Sequence, residues 1–292
     1  MHKDEAEGAC AALENERESL YVSTQEGVSQ LSLTGERLLY APLMGAGALC
    51  AGKKSLFCAD GSGAIWRMDR ENFLPEGCIC GGPGLCDLCL SPDEARLYAL
   101  LGDADSVLMV DGRTGRPMLV NHCGCNPKQL LLCGRVLAAA GGESGMVHLY
   151  DADTLVCQRE ISMPGPVYSI AISGGRLYAL CLTERLDTVL IVVEGKKQNF
   201  QDLQGMPGTL LIHENRLYAA TQGMFYVFDL ESLRLIKRMS VSGRPSRMFV
   251  AGKCVIAYDP LFERVYAMHE DWRWRMLCAR ANTVCISGNG RN

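Results

Sequence analysis

The 292-residue chain has no apolar run approaching the roughly 18 residues that cross a bilayer as a helix, so no membrane span is expected. It also lacks a positive excess: 29 Lys and Arg stand against 33 Asp and Glu, a net charge of −4. Phosphate backbones are held by basic surfaces, which sets nucleic acid aside as the expected partner. The opening stretch, MHKDEAEGACAALENERE, has no apolar core of signal-peptide length. With Met1 as the start, residues 1–17 read as a polar leader and the expected location is the cytoplasm. Signatures of common chemistry are missing too. There is no G-x-S-x-G elbow, no HExxH, and no glycine-rich strand-to-helix loop to cradle phosphate. Nor does any segment inside the body of the chain keep a 3.6-residue apolar period, so helices are not expected there.

What the chain does have is cysteine and repetition. Fifteen cysteines is an odd number, so at least one thiol is unpaired in a monomer. They are scattered through apolar runs and frame no short loops, a pattern that fits a reducing compartment and small buried hydrophobes. The repetition is a short phrase that returns seven times: SLYVST at Ser19, SLFCAD at Ser55, RLYALL at Arg96, RVLAAA at Arg135, RLYALC at Arg176, RLYAAT at Arg216 and KCVIAY at Lys253. The spacing suits a four-stranded unit and is too short for an independent domain. Each copy must therefore bury its apolar face against the next.

The sixth copy shows the grammar most clearly. GTLLIH (Gly208 to His213) is a short apolar run, Glu214 and Asn215 turn the chain, and RLYAAT leads to a Gln222-Gly223 hairpin loop. MFYVFDL then alternates in strand fashion, Asp229 opens another turn, and LRLIKRMSV closes the unit. Val, Ile, Tyr and Phe in short runs bounded by Gly, Asn and Asp are strand signals. Four antiparallel strands per unit, repeated about a ring, make a β-propeller blade. The first copy lacks an innermost strand and the last is followed by a surplus one, NTVCIS (Asn282 to Ser287). Pairing the two would remove the open edge of the ring. The expected fold is thus all-β: one domain over residues 18–292, a seven-bladed β-propeller of four-stranded antiparallel blades with the first blade closed by a C-terminal strand.

The repeats also resemble a known family. RLYALLGDADSVLMVDGRTGRPMLV (Arg96 to Val120) is similar to the YVTN β-propeller repeat, with its valine-rich strand ending in Asp and its Thr-Gly turn. MFYVFDLESLRLIKRMSVSGRPSRMFV (Met224 to Val250) resembles the same repeat's second half, and MVHLYDADTLVCQREISMPGPVYSIAIS (Met146 to Ser173) fits nearly as well. In the first blade Thr34 is expected at the usual Asp position, and in the fifth Glu194. The resemblance implies the propeller fold and leaves function open, because YVTN-like and WD-like propellers include surface proteins, scaffolds and a few enzymes.

Laid onto such a ring, the charges divide between two faces. Loops between second and third strands carry Glu26, Asp60, Asp103, Asp105, Glu143, Glu184, Asp187, Asp259 and Glu263 against Arg185 alone. These loops share a face with the connections between blades, around one mouth of the channel. An acidic rim there implies a cationic ligand or a basic partner, and Asp60, Asp103, Asp105, Glu143, Glu184, Asp187 and Asp259 are the candidate binding residues. On the other face Lys54, Arg96, Arg135, Arg176 and Arg216 are expected opposite Asp69, Asp111, Asp151, Glu194 and Asp229, as cross-strand ion pairs of about 0.2–1 kcal/mol each. One cluster has metal-ligand character: Cys78 and Cys80 with His122, Cys123 and Cys125, whose thiolates and imidazole suit zinc or reduced copper. His148, alternating with Met146 and Tyr150, reads as a packed strand histidine. The expected function is a non-catalytic scaffold that binds a protein or small ligand on the acidic face and needs no cofactor. The alternative is a small-molecule enzyme of lactonase or hydrolase type, or a metal-binding propeller, working at the channel mouth.

Overall fold

The computed structural model of the chain describes residues 19–124, 126–251, 253–268, 272–281 and 283–286. The sequence-predicted leader and Cys125 lie outside them. The described strands form seven sheets of four antiparallel strands each. Six blades are built from consecutive strands. The first is completed from the other end of the chain, where Thr283–Ile286 pairs with Leu20–Ser23, setting Tyr21 opposite Cys285 and Val22 opposite Val284. The expected closure is therefore present. Among the described residues no helix is long and apolar enough to cross a membrane.

The core lies between blades. Tyr98, Leu100 and Met109 of blade three pack on Leu137, Ala139 and Tyr150 of blade four, and each neighbouring pair repeats this layer with its own side chains. Burial at about 25 cal/mol per Å² makes these layers the main stabilising term. The second strand of each blade, which carries the recurring phrase, is the most deeply covered: Leu97 to Leu100 and Leu177 to Cys181 are all nearly solvent-free. Polar ends of the same phrase reach to the next blade. Tyr98 donates its hydroxyl to the Ala152 carbonyl at 2.8 Å, and Tyr178 to that of Leu230 at 3.2 Å.

The strand-end basic residues are paired only partly as expected. Arg96, Arg176 and Arg216 do lie opposite Asp111, Glu194 and Asp229. Arg135 and Lys54 miss by one position, since Val136 faces Asp151 and Ser55 faces Asp69. Ion pairs follow the gaps between blades as much as the ladder. Arg176 meets Glu194 at 3.4 Å and Arg135 meets Asp151 at 3.6 Å. Arg96 turns instead to Asp153 of blade four at 2.5 Å, and Arg216 lies over the Trp272 ring. The turn in blade one also differs from expectation. Ser32, rather than Thr34, does the work of the usual Asp, its hydroxyl accepting the N–H groups of Thr34 and Glu36.

Candidate functional site

The innermost strands surround the channel, and four of them carry a polar residue beside a bulge. The extra residue falls between Leu85 and Asp87, Pro127 and Gln129, Val167 and Ser169, and Pro207 and Thr209. Bulges re-aim the neighbouring side chain. In three of the four they aim it at the following blade. Asp87 accepts the Leu130 N–H at 2.9 Å, Gln129 that of Ile170 at 2.8 Å, and Ser169 that of Leu210 at 3.0 Å. Three consecutive inner strands are thereby tied to their successors, and buried polar groups are satisfied in the process. Blade six shares the bulge, but Thr209 turns back to the Ser169 hydroxyl at 3.4 Å; a Cβ at Gly208 would sit 2.3 Å from the Pro245 carbonyl oxygen, so this bulge requires glycine.

One pair crosses the ring. Arg247, on the inner strand of blade seven, reaches Asp87 of blade three, with a guanidinium nitrogen 2.7 Å from the carboxylate. Asp87 is buried and accepts N–H groups from Leu88 and Leu130 besides. The Asp87 carboxylate raises the Arg247 pKa further, so the guanidinium stays charged throughout the accessible pH range. Thiols surround this level of the channel. Burial pushes Cys86 up to about 11, and Cys89 and Cys285 up to about 12, which keeps them protonated at neutral pH. The channel polar groups thus hold blades together, and the Arg247–Asp87 pair joins blades three and seven across the ring.

The acidic loops lie on the same face as the connections between blades. Loops between second and third strands bond to the connections between blades: Cys123 N–H to the Asp105 carbonyl at 2.7 Å, Met163 to Gly145 at 2.8 Å, and Gln222 to Met206 at 2.8 Å. The seven candidate residues on this face divide into two groups. Asp60 turns inward, accepting from Ser62, Ala64 and the Trp66 indole. Asp105 accepts the Asn126 N–H. Asp259 is fully buried and caps the N–H groups of Arg244 and Leu261. Asp103, Glu143, Glu184 and Asp187 are exposed. Large apolar side chains stand exposed on the same face, with Met44 at 78%, Leu186 at 72%, Leu261 at 65% and Phe262 at 46%.

The cysteine-histidine cluster is spread along the same side. Cys78 and Cys80 are exposed on the outer strand of blade two, opposite Trp66 and Ala64. His122 ends the outer strand of blade three, its Nδ1 2.8 Å from the Ser106 hydroxyl, and Cys123 is buried against the Asp105 carbonyl. Among the described residues these side chains do not converge within the span of one metal ion. Sequence reasoning did not single out Arg247 or Gln129. The available signal was a charged or amide residue at the same step of several otherwise apolar inner strands.

No protein-family description and no curated protein matches the chain. Solved structures do match it. A functionally unknown protein from Desulfotomaculum acetoxidans is similar with a TM-score of 0.76 and 12% identity, over 92% of this chain and 98% of that one. BamB from Moraxella catarrhalis is similar with a TM-score of 0.61 and 11% identity, over 87% and 80%. AztD from Citrobacter koseri is similar with a TM-score of 0.60 and 11% identity, over 94% and 99%. At such identities the likeness is one of fold, and the fold in common is the seven-bladed β-propeller.

Proposed function

We propose that the protein is a non-catalytic scaffold, of YVTN-type repeats, that holds a basic protein partner in the cytoplasm through the face bearing the acidic loops. The observation that carries this reading is the composition of that face. Exposed carboxylates of Asp103, Glu143, Glu184 and Asp187 share this face with exposed Met44, Leu186, Leu261 and Phe262. Isolated apolar residues on a surface are ordinary, but several large ones on a face whose loops carry mainly carboxylates, with Arg185 as the exception, suit a macromolecular interface. The carboxylates would steer a cationic partner and fix its register, and the apolar tips would supply the area removed from water. Cys58, Cys78, Cys80, Cys157 and Cys181 are free thiols, in keeping with a reducing compartment.

The test uses defined probes. Basic and acidic peptides of equal apolar content are compared by fluorescence polarisation, at low and high salt. The basic set should bind and weaken with salt, because exposed charges are screened. Reversal of Asp103, Glu143 and Glu184 to Lys together should cut affinity by at least about tenfold, or 1.4 kcal/mol, with the melting curve retained. Equal binding of both peptide sets, or unchanged affinity after reversal, would reject the proposal.

A further inference from the structure

A second constellation lies away from that face, on the outer half of blade four. His148 on the third strand stands opposite Glu160 on the fourth. Alternation alone would turn Cys157 to the opposite face of the strand, since it is three residues from Glu160. The register shift between Leu149 and Tyr150 instead sets Cys157 opposite Tyr150, one pleat from His148 and on the same face. A nitrogen, a sulfur and a carboxylate oxygen from these three side chains all lie within 4.8 Å of one another.

Other blades share this bulge but not these residues. The equivalent positions are Leu108, Pro117 and Val120 in blade three, and Tyr226, Leu235 and Arg238 in blade six. Three donor side chains there are a property of blade four and not of the fold. The spacing is also wrong for a simple hydrogen-bonded pair. His148 Nδ1 is 3.7 Å from Glu160 Oε1, beyond hydrogen-bond length. It is close to the edge of a tetrahedron with bonds of about 2.1 Å, which is roughly 3.4 Å. The imidazole is nearly buried and stacked on Tyr150, with ring centroids 6.0 Å apart and planes 12° from parallel, so its direction is set. Cys157 and Glu160 are exposed, leaving an open side for a water as fourth ligand.

We propose that His148, Cys157 and Glu160 bind a zinc ion. The donor set selects it: one thiolate, one imidazole and one carboxylate are borderline ligands, whereas calcium and magnesium take oxygen alone and reduced copper prefers sulfur. Binding releases the Cys157 thiol proton to solvent as the sulfur–zinc bond forms, while the imidazole enters neutral and the carboxylate ionised. The site stands apart from the acidic face and does not depend on the scaffold reading.

The full-length chain, reduced and stripped with a chelator, is titrated with cobalt as a spectroscopic substitute and then with zinc. The expected result is a thiolate-to-cobalt charge-transfer band with tetrahedral d–d bands, saturating at about one equivalent and displaced by zinc. Cys157→Ser should abolish the charge-transfer band. Glu160→Gln should weaken zinc binding by more than about tenfold, since even partners outside the ligand shell are worth ten- to hundredfold. Both residues are exposed, so both variants should keep the parent melting curve. A double Cys78→Ser, Cys80→Ser variant, which removes two other exposed thiols, should leave the spectrum unchanged. Absence of the band in the parent, its survival in Cys157→Ser, or its loss in the Cys78/Cys80 variant would each overturn the assignment.

Discussion

A buried carboxylate with three donors is the most consequential single residue in the ring. Asp87 accepts from Leu88, Leu130 and Arg247. Removing the cation leaves an uncompensated charge, whereas replacing both partners with apolar groups does not. Arg247→Ala is expected to destabilise the protein by about 3 kcal/mol, the low end for a buried pair, because the Arg247 side chain keeps 28% of its surface in solvent. The double replacement Asp87→Asn, Arg247→Met removes both charges, keeps an acceptor for the Leu88 and Leu130 N–H groups, and should cost less than the single one. Urea denaturation decides, and a double variant as weak as Arg247→Ala would contradict this account. A gain is expected at Glu214, which holds φ at +52° in the position where blades four and five have Gly134 and Gly174 at +59° and +57°. Glu214→Gly should add about 0.5–1 kcal/mol, the left-handed strain relieved less the entropy that glycine loses on folding. A lower melting temperature would count against it. The same residues show where reading the chain as letters stops. Asp60, Asp105 and Asp259 were recognisable as turn carboxylates, yet only coordinates reveal that each is spent on nearby N–H groups. Asp87 and Arg247 are joined across a ring by curvature, which no local pattern encodes.

At the level of the element, the blades were legible because their signals are local. Strand alternation, two-residue hairpins and the Asp-led turn recur in the letters, and the observed strands of blade six, Pro207–His213, Arg216–Thr221, Met224–Asp229 and Leu235–Ser240, follow them closely. The bulges were not legible, being set by contact with the neighbouring blade. The Asp-led turn also makes a pH prediction. The Thr114 N–H and hydroxyl hold Asp111 below the ordinary carboxylate range, and the hydroxyls of Thr154 and Ser232 do the same for Asp151 and Asp229. A depressed native pKa contributes stability that is present above the unfolded value of about 3.9 and is lost as pH falls through the native one. Stability should therefore drop as pH is lowered below about 4. The triple variant with Asn at 111, 151 and 229 keeps the turn acceptor and should show a shallower drop. Urea midpoints measured across that range test it, and identical slopes for parent and variant would refute it.

For the whole molecule the question is what keeps a ring of seven sheets from opening. Each blade is stabilised by its neighbours, so a gap at one place exposes two apolar faces and a strand edge. The chain closes that gap with four residues, Thr283–Ile286, which pair with Leu20–Ser23. Val284 is fully buried there, packed with Leu20, Val22, Ala251 and Ile256. Burying one valine is worth about 1.5–3 kcal/mol. Ladder hydrogen bonds add to this, and the sum approaches the 5–15 kcal/mol by which whole domains are stable. A chain truncated after Ala281 is therefore expected to lose its sharp melting transition and to self-associate through the exposed edge of the first blade. Because that edge is a template for any matching strand, a synthetic peptide spanning residues 282–287 should restore the monomer, and a scrambled one should not. Size-exclusion chromatography with a thermal melt reads both effects. A truncated chain that stays monomeric and melts like the parent would mean that the core between blades holds the ring without its clasp.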